Sequence, residues 1–260
     1  MGKSLLLTCI LLFPFALVEA KKKSAPKAPE FPEVTARGRM LAECLTAMGH
    51  ARQAVSALHP SPNTITHFNA QKGDSGWVAA FGRYNEKGDQ FLIAYEARQG
   101  ANPDEFTAQQ VDPPREDAGF FLLAAKAMDT AGADVRVAKM RYDAAVVPAE
   151  SGQMYVYFVP AQTVAGVYIY GGDFRYLISS DGTKIVEKRQ LHKSVLKLGP
   201  GGVPAGAKVA AGYHTHVLSD VPEDTDVALV LLRKPSVPEY IGTRNGSYEV
   251  LEDGTIVRSK

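Results

Sequence analysis

Cysteine is scarce: the 260 residues carry two, Cys9 and Cys44. Cys9 lies inside an amino-terminal apolar run. If processing removes that run, one thiol remains and no intrachain disulfide can form. Cys44 falls in an expected helix with no partner that would make it a nucleophile, so it reads as a small buried apolar side chain. An excess of either charge is also lacking. Lys and Arg total 29 against 28 for Asp and Glu, a formal net charge of +1. That excludes the strongly basic balance of a nucleic-acid binder or a polybasic membrane anchor. The one basic cluster, Lys21-Lys22-Lys23, sits near the amino end, and no basic stripe interleaved with aromatics follows it. No phosphate loop is written here: Gly171-Gly172 is accompanied by neither Gly-x-Gly-x-x-Gly nor Lys-Ser/Thr. No repeat of fixed period is visible.

The chain does contain an export signature. Lys3 precedes an apolar core over residues 5–18, too short to span a membrane comfortably, and Val18-Glu19-Ala20 offers a cleavage site. Residues 1–20 therefore read as a removable signal, which implies an exported protein, periplasmic or secreted, with no stable membrane span after removal; an uncleaved signal anchor is the alternative. Residues 21–32, rich in Lys, Ala and Pro, read as a flexible tether.

Two α+β regions are expected beyond it, 33–140 and 141–260, with a soft boundary between Gly132 and Asp143 that equally reads as an internal loop. Leu41, Leu45, Met48, Val55 and Leu58 recur at helical spacing. Apolar β-rich runs flank Asn85-Glu86-Lys87-Gly88 as a hairpin. Asp112-Pro113-Pro114 reads as a capping Asp followed by Pro in a first helical turn. Phe120, Leu123, Ala124 and Ala127 continue at helical spacing, and Gly132 ends the helix. From Asp143 onward the chain is mostly strand. It includes a hairpin across Ser180-Asp181-Gly182, a loop at Gly199-Pro200-Gly201-Gly202, and a terminal hairpin around Asp253-Gly254. The expected class is α+β, a mixed or antiparallel sheet with flanking helices.

One stretch carries chemistry. Val209-Ala210-Ala211 leads as a strand into Gly212-Tyr213-His214-Thr215-His216. Residues i and i+2 of a strand share a face, so two imidazoles stand side by side. Asp220, Glu223, Asp224 and Asp226 follow, and Asp226 opens an apolar helical run. Two His and a carboxylate form a recurrent zinc ligand set that leaves a fourth position for water. The alternative is a pair of half-buried strand histidines beside a solvated acidic turn. In that reading Asp220, Glu223 and Asp224 cap the helix and complement its dipole. His192 could reach the site from the preceding strand but reads rather as a surface residue, and Asp173 with Arg175 as a structural ion pair rather than a ligand contact.

The order of hairpin, Gly-Tyr-His-Thr-His strand, Asp-bearing helix and Tyr-Ile-Gly-Thr-Arg-Asn-Gly-Ser-Tyr-Glu-Val resembles the JAB/JAMM metallopeptidase superfamily, in particular its bacterial branch found beside secreted toxins. The resemblance covers residues 171–257 and implies a JAMM-like carboxy-terminal half. The family pattern is His-x-His, ten residues, then Asp, with a Ser three residues before the Asp and a Glu on an earlier strand. His214 and His216 match, and Asp226 matches with one residue fewer between. The Ser position falls on Glu223, Val217 replaces the usual Pro, and the Glu position falls near Ile169. Glu187 is the nearest upstream strand carboxylate, and Glu223 is the other candidate base. The resemblance implies Zn2+ held by His214, His216 and Asp226, and a hydrolase acting on an amide or isopeptide bond of a peptide or protein. The departures equally admit a metal-binding protein without catalysis, or a non-catalytic binding or structural module of the cell envelope.

Overall fold

The structure is a computed structural model that describes residues 28–135, 140–199 and 208–259. The export signal, Cys9, the tether up to residue 27, part of the expected boundary and Pro200-Gly201-Gly202 lie outside the described residues.

The last part of the expected tether is structured. Pro29–Glu30 forms a short strand, β1, paired with the end of the chain. Helix α1, Pro32–Ser56, begins with Pro in its first turn and Glu33 beside it, both suited to a helix start. Its apolar stripe, including Leu41, Cys44, Met48 and Val55, is buried. The stripe covers an antiparallel sheet of β2 (His67–Gly73), β3 (Gly76–Tyr84), β4 (Phe91–Gln99) and β5 (Phe106–Asp117), in that order.

Strand β5 corrects an expectation. Asp112, Pro113 and Pro114 do not start a helix; they lie in this strand. Proline cannot donate to a ladder, and β5 is an edge strand where no donor is needed. A register shift between Ile93 and Tyr95 of β4 takes up the irregular stretch opposite. Helix α2, Phe120–Asp134, starts later and runs past Gly132. Its free amides are met by Asp117, whose Oδ1 accepts from the N–H of Gly119 (3.0 Å) and Phe121 (3.1 Å).

The second sheet contains β6 (Tyr142–Pro148), β7 (Met154–Pro160), β9 (Phe174–Ile178) and β10 (Ile185–Gln190), all antiparallel, in the order β10-β9-β7-β6. Helix α2 lies between the two sheets. Ala124, Ala127 and Ala131 meet Val146, Val156 and Ile178, while Phe121, Leu122 and Ala125 meet Phe91 and Ile93. Two short strands, β8 (Tyr168–Tyr170) and β11 (Leu196–Leu198), pair with each other.

The third sheet is mixed. β12 (Gly212–Thr215) leads through α3 (Asp224–Leu232) to a parallel neighbour, β13 (Glu239–Thr243), a strand–helix–strand crossover. The antiparallel strands β14 (Gly246–Val250), β15 (Ile256–Arg258) and β1 complete it. The class is α+β, with three α-helices among the described residues. Helix α3 also packs against α1. At Gly38 an added Cβ would lie 2.4 Å from Cβ of Val227 and 2.5 Å from the Asp224 carbonyl, so only glycine permits this approach. One buried cluster joins Leu41, Cys44 and Trp77 to Val147, Tyr157, Leu191 and Ala228. Residues on both sides of position 140 therefore share a core.

Candidate metal centre

Three elements converge behind the β12 edge. The expected alternation holds: His214 and His216 are buried and Tyr213 and Thr215 are exposed, although the strand itself begins at Gly212. The third residue of α3 is Asp226, completely buried. Its position is fixed by a capping box, in which the Glu223 N–H donates to Oδ2 of Asp226 at 2.6 Å. The fourth member, His192, follows β10 and is also buried. Leu191 anchors it in the shared core.

One donor atom from each of His192, His214, His216 and Asp226 lies within 4.8 Å of every other. Nε2 of His216 is 2.9 Å from Nε2 of His192 and 3.1 Å from Nε2 of His214. The carboxylate of Asp226 is 3.1 Å from Nε2 of His192 and 3.3 Å from Nε2 of both His214 and His216. Four donors held about 2.0–2.2 Å from one zinc ion sit roughly 3.3–3.6 Å apart in a tetrahedron. A small outward movement of the rings therefore opens a tetrahedral hole. This buried cluster could hold a metal ion.

The outer partners determine which nitrogen is offered. Nδ1 of His216 donates to the Val221 carbonyl at 2.9 Å. Nδ1 of His192 donates to Asp173, 2.8 Å from Oδ1. Nδ1 of His214 donates to Oε1 of Glu239 at 3.0 Å, and Arg233 Nη1 donates to the other oxygen of that carboxylate at 3.0 Å. A carbonyl or ionised carboxylate only accepts, so each Nδ1 keeps its proton, and each ring, when neutral, turns its Nε2 lone pair inward. Three Nε2 atoms and a carboxylate this close are reconciled either by protons on the imidazoles or by a metal ion among them. An oriented imidazole with its far nitrogen bonded to a carboxylate or carbonyl is also the usual support of a metal-binding histidine.

Without a metal, the electrostatics draws protons to these same nitrogens. Burial acts against a charged His192, but Asp173 and Asp226 outweigh it and lift its pKa well above the ordinary 6.5. His214 is raised too, with burial outweighed by Asp226 and Glu239. Burial pushes Asp226 up, yet the three imidazoles bring it well below the usual carboxylate range. Tyr170, at the end of β8, adds a hydroxyl that donates to Asp226 and lies 2.8 Å from Nε2 of His214. Its burial, then Asp226, raises its pKa and keeps the phenol neutral.

His214, His216 and Asp226, expected as ligands, are brought together. The two expected bases are not in the cluster. Glu187 lies half-exposed on β10, within 4.0 Å of Arg175 and 3.9 Å of Arg189. Glu223 is the helix N-cap, and its carboxylate accepts from Arg189 at 2.7 Å. The acidic turn is otherwise structural. Asp220 pairs with Arg244, while buried Asp224 binds Arg37, Arg175 and Tyr157. Asp173 and Arg175 do not pair with each other; they serve His192 and Asp224 respectively.

His192 corrects the expectation of a surface residue. Gly171 and Gly172, at φ 75° and 69°, turn the chain from β8 into β9. That turn sets Asp173 against both the backbone N–H and the ring of His192. A Cβ at Gly171 would lie 2.1 Å from the Ser194 carbonyl, so the turn requires glycine. Only the apolar Leu191 before His192 hinted at burial. Tyr170 carried no sequence signal beyond being aromatic in a strand.

No protein-family model, characterised protein or solved structure matches the chain.

Proposed function

We propose that this is an exported metal-binding protein whose centre holds one Zn2+ through Nε2 of His192, His214 and His216 and the carboxylate of Asp226. The observation that carries the reading is the inward convergence of those four donors, with every Nδ1 committed to an outer acceptor. Imidazole and carboxylate suit zinc, and four protein ligands make a closed shell of the structural type. The JAMM resemblance is supported by two features: the His-x-His strand and the Asp in the first turn of the next helix. In this reading His192 takes the position that a hydrolase keeps for water. Export is supported by the amino-terminal apolar run in the sequence.

The test is metal analysis of protein purified without chelators or a histidine tag. One equivalent of zinc is expected, and His214→Ala removes it. Protein that holds no zinc and gives no heat or spectral change on zinc or cobalt titration rejects the reading.

A second reading, an amide or isopeptide hydrolase, is favoured by one observation: the Tyr170 hydroxyl sits on Asp226 and His214. A bound zinc supplies Lewis acidity there, and Tyr170 holds a proton at its Oη. Turnover of a peptide or isopeptide library that disappears in Tyr170→Phe, at unchanged zinc content, selects this reading. Zinc without turnover selects the first.

A further inference from the structure

A cavity of about 500 Å³ lies beside the centre, walled by α1, α3, β6, β7, β8 and single residues of β2 and α2. It borders Tyr170 and Asp173, outer partners of the centre, but none of the four donors. It is therefore a separate space. Its size falls in the range of small-molecule sites, roughly 300–1,000 Å³. The wall is mainly apolar, with Leu45, Met48, Phe68, Met128, Val159 and Leu229 prominent. Unbranched methionine side chains adapt to a flexible apolar occupant.

Two features point to a polar end on that occupant. Thr225 lines the cavity, and its hydroxyl is buried with no hydrogen-bond partner among the described residues. A buried polar atom left without a partner is costly and is normally met by a ligand or water. The charged groups of the wall are Arg52, Arg141, Asp143 and Asp173. Asp173 is committed to His192, and Asp143 lies 3.8 Å from Arg52. Arg141 is thus the charged group of the wall with no ion-pair partner among the described residues.

We propose that this cavity binds a small apolar carboxylate, of the fatty-acid or arylalkanoate kind. The apolar body packs on the methionines and Phe68, and the carboxylate lies against Arg141. Thr225 offers a hydrogen bond to any polar group deeper in. The proposal goes beyond the metal reading and does not depend on it.

The test uses delipidated full-length protein titrated calorimetrically with dodecanoate, dodecanol and dodecyltrimethylammonium, with zinc content measured in each sample. Dodecanoate is expected to bind at one equivalent, tighter than dodecanol by about tenfold, the order of one charged hydrogen bond; the cation is not expected to bind. Arg141→Glu removes the preference for the carboxylate and leaves dodecanol binding unchanged. Gly49 borders the cavity, and a Cβ there meets nothing within 4 Å. Gly49→Phe, or the milder Gly49→Leu should the first not fold, therefore obstructs the cavity and abolishes binding of both. Equal binding of the three amphiphiles, no binding of dodecanoate, or binding undisturbed by the Gly49 variants overturns the proposal. None of these outcomes bears on zinc content, so failure here and failure of the metal reading remain distinguishable.

Discussion

At the residue scale, the centre separates ligands from their supports, and substitution should separate them too. His216→Ala removes a donor whose ring is buried between two others, so zinc is lost at stoichiometric concentrations. Asp173→Asn keeps the shape but weakens the hold on His192, and a lost outer partner typically costs about 10–100-fold in metal affinity. Competition titrations with a chelating dye measure both effects. Protons compete for the same nitrogens. Since His192 is raised above 6.5 by Asp173 and Asp226 against the effect of burial, this competition begins above that pH. Zinc affinity therefore increases as pH rises through neutrality, with proton release on binding. Unchanged affinity between mildly acidic and mildly alkaline buffer contradicts this. Cys44 offers an independent check. Burial pushes its thiol up to about 12, so an aromatic disulfide reagent should react only as the protein unfolds. Two of the three imidazoles were readable because strand alternation is local. His192 could be named but not preferred, because what buries it is a contact with Asp173 across a turn, and no spacing rule links residues 192 and 214.

At the element scale, α3 positions Asp226, and its own placement depends on two contacts. One is the close crossing at Gly38. Gly38→Ala drives a methyl into Val227 and the Asp224 carbonyl, an overpacking that costs on the order of 1–3 kcal/mol. Denaturant unfolding should show that loss, and zinc affinity should fall with it because the helix start shifts. The other is the buried network of Asp224 with Arg175, Arg37 and Tyr157. Asp224→Asn leaves two guanidiniums without their counter-charge, and breaking a buried pair from one side costs about 3–5 kcal/mol. Thermal denaturation should place this variant well below the wild type. A midpoint unchanged within error would show that solvent reaches the network. Hairpins and the helical spacing of α1 were legible because their signals are local. Strand β5 was not: Asp-Pro-Pro fits a helix start by its own chemistry, and only its place at the edge of a sheet permits those prolines in a strand.

At the scale of the whole molecule, the boundary expected near residue 140 does not divide the core. Ala145, Val147, Tyr157 and Ala228 complete a cluster begun by α1 and the first sheet, and β1 closes the carboxy-terminal sheet from the other end of the chain. Hydrophobic pattern marks which faces are buried but not against what, so two α+β halves and one shared core look alike in sequence. The difference has a measurable consequence. A fragment of residues 141–260 retains all four donors, yet it exposes the apolar faces that α1 and β4 cover and leaves Asp224 without Arg37. It is expected to bind zinc at least tenfold more weakly than the full chain, since the donors must be ordered at binding, and to lack a cooperative melt. The intact protein should melt in one transition, because elements that share a core unfold together. Ligand bound only to the folded state stabilises all of it, by about 4 kcal/mol at a free zinc concentration a thousand times the dissociation constant. Zinc should therefore move the whole transition upward, read equally by tryptophan fluorescence at Trp77 in the first sheet and by cobalt absorbance at the centre. Two transitions, only one of them sensitive to zinc, would mean that the halves fold separately and that the metal stabilises the second alone.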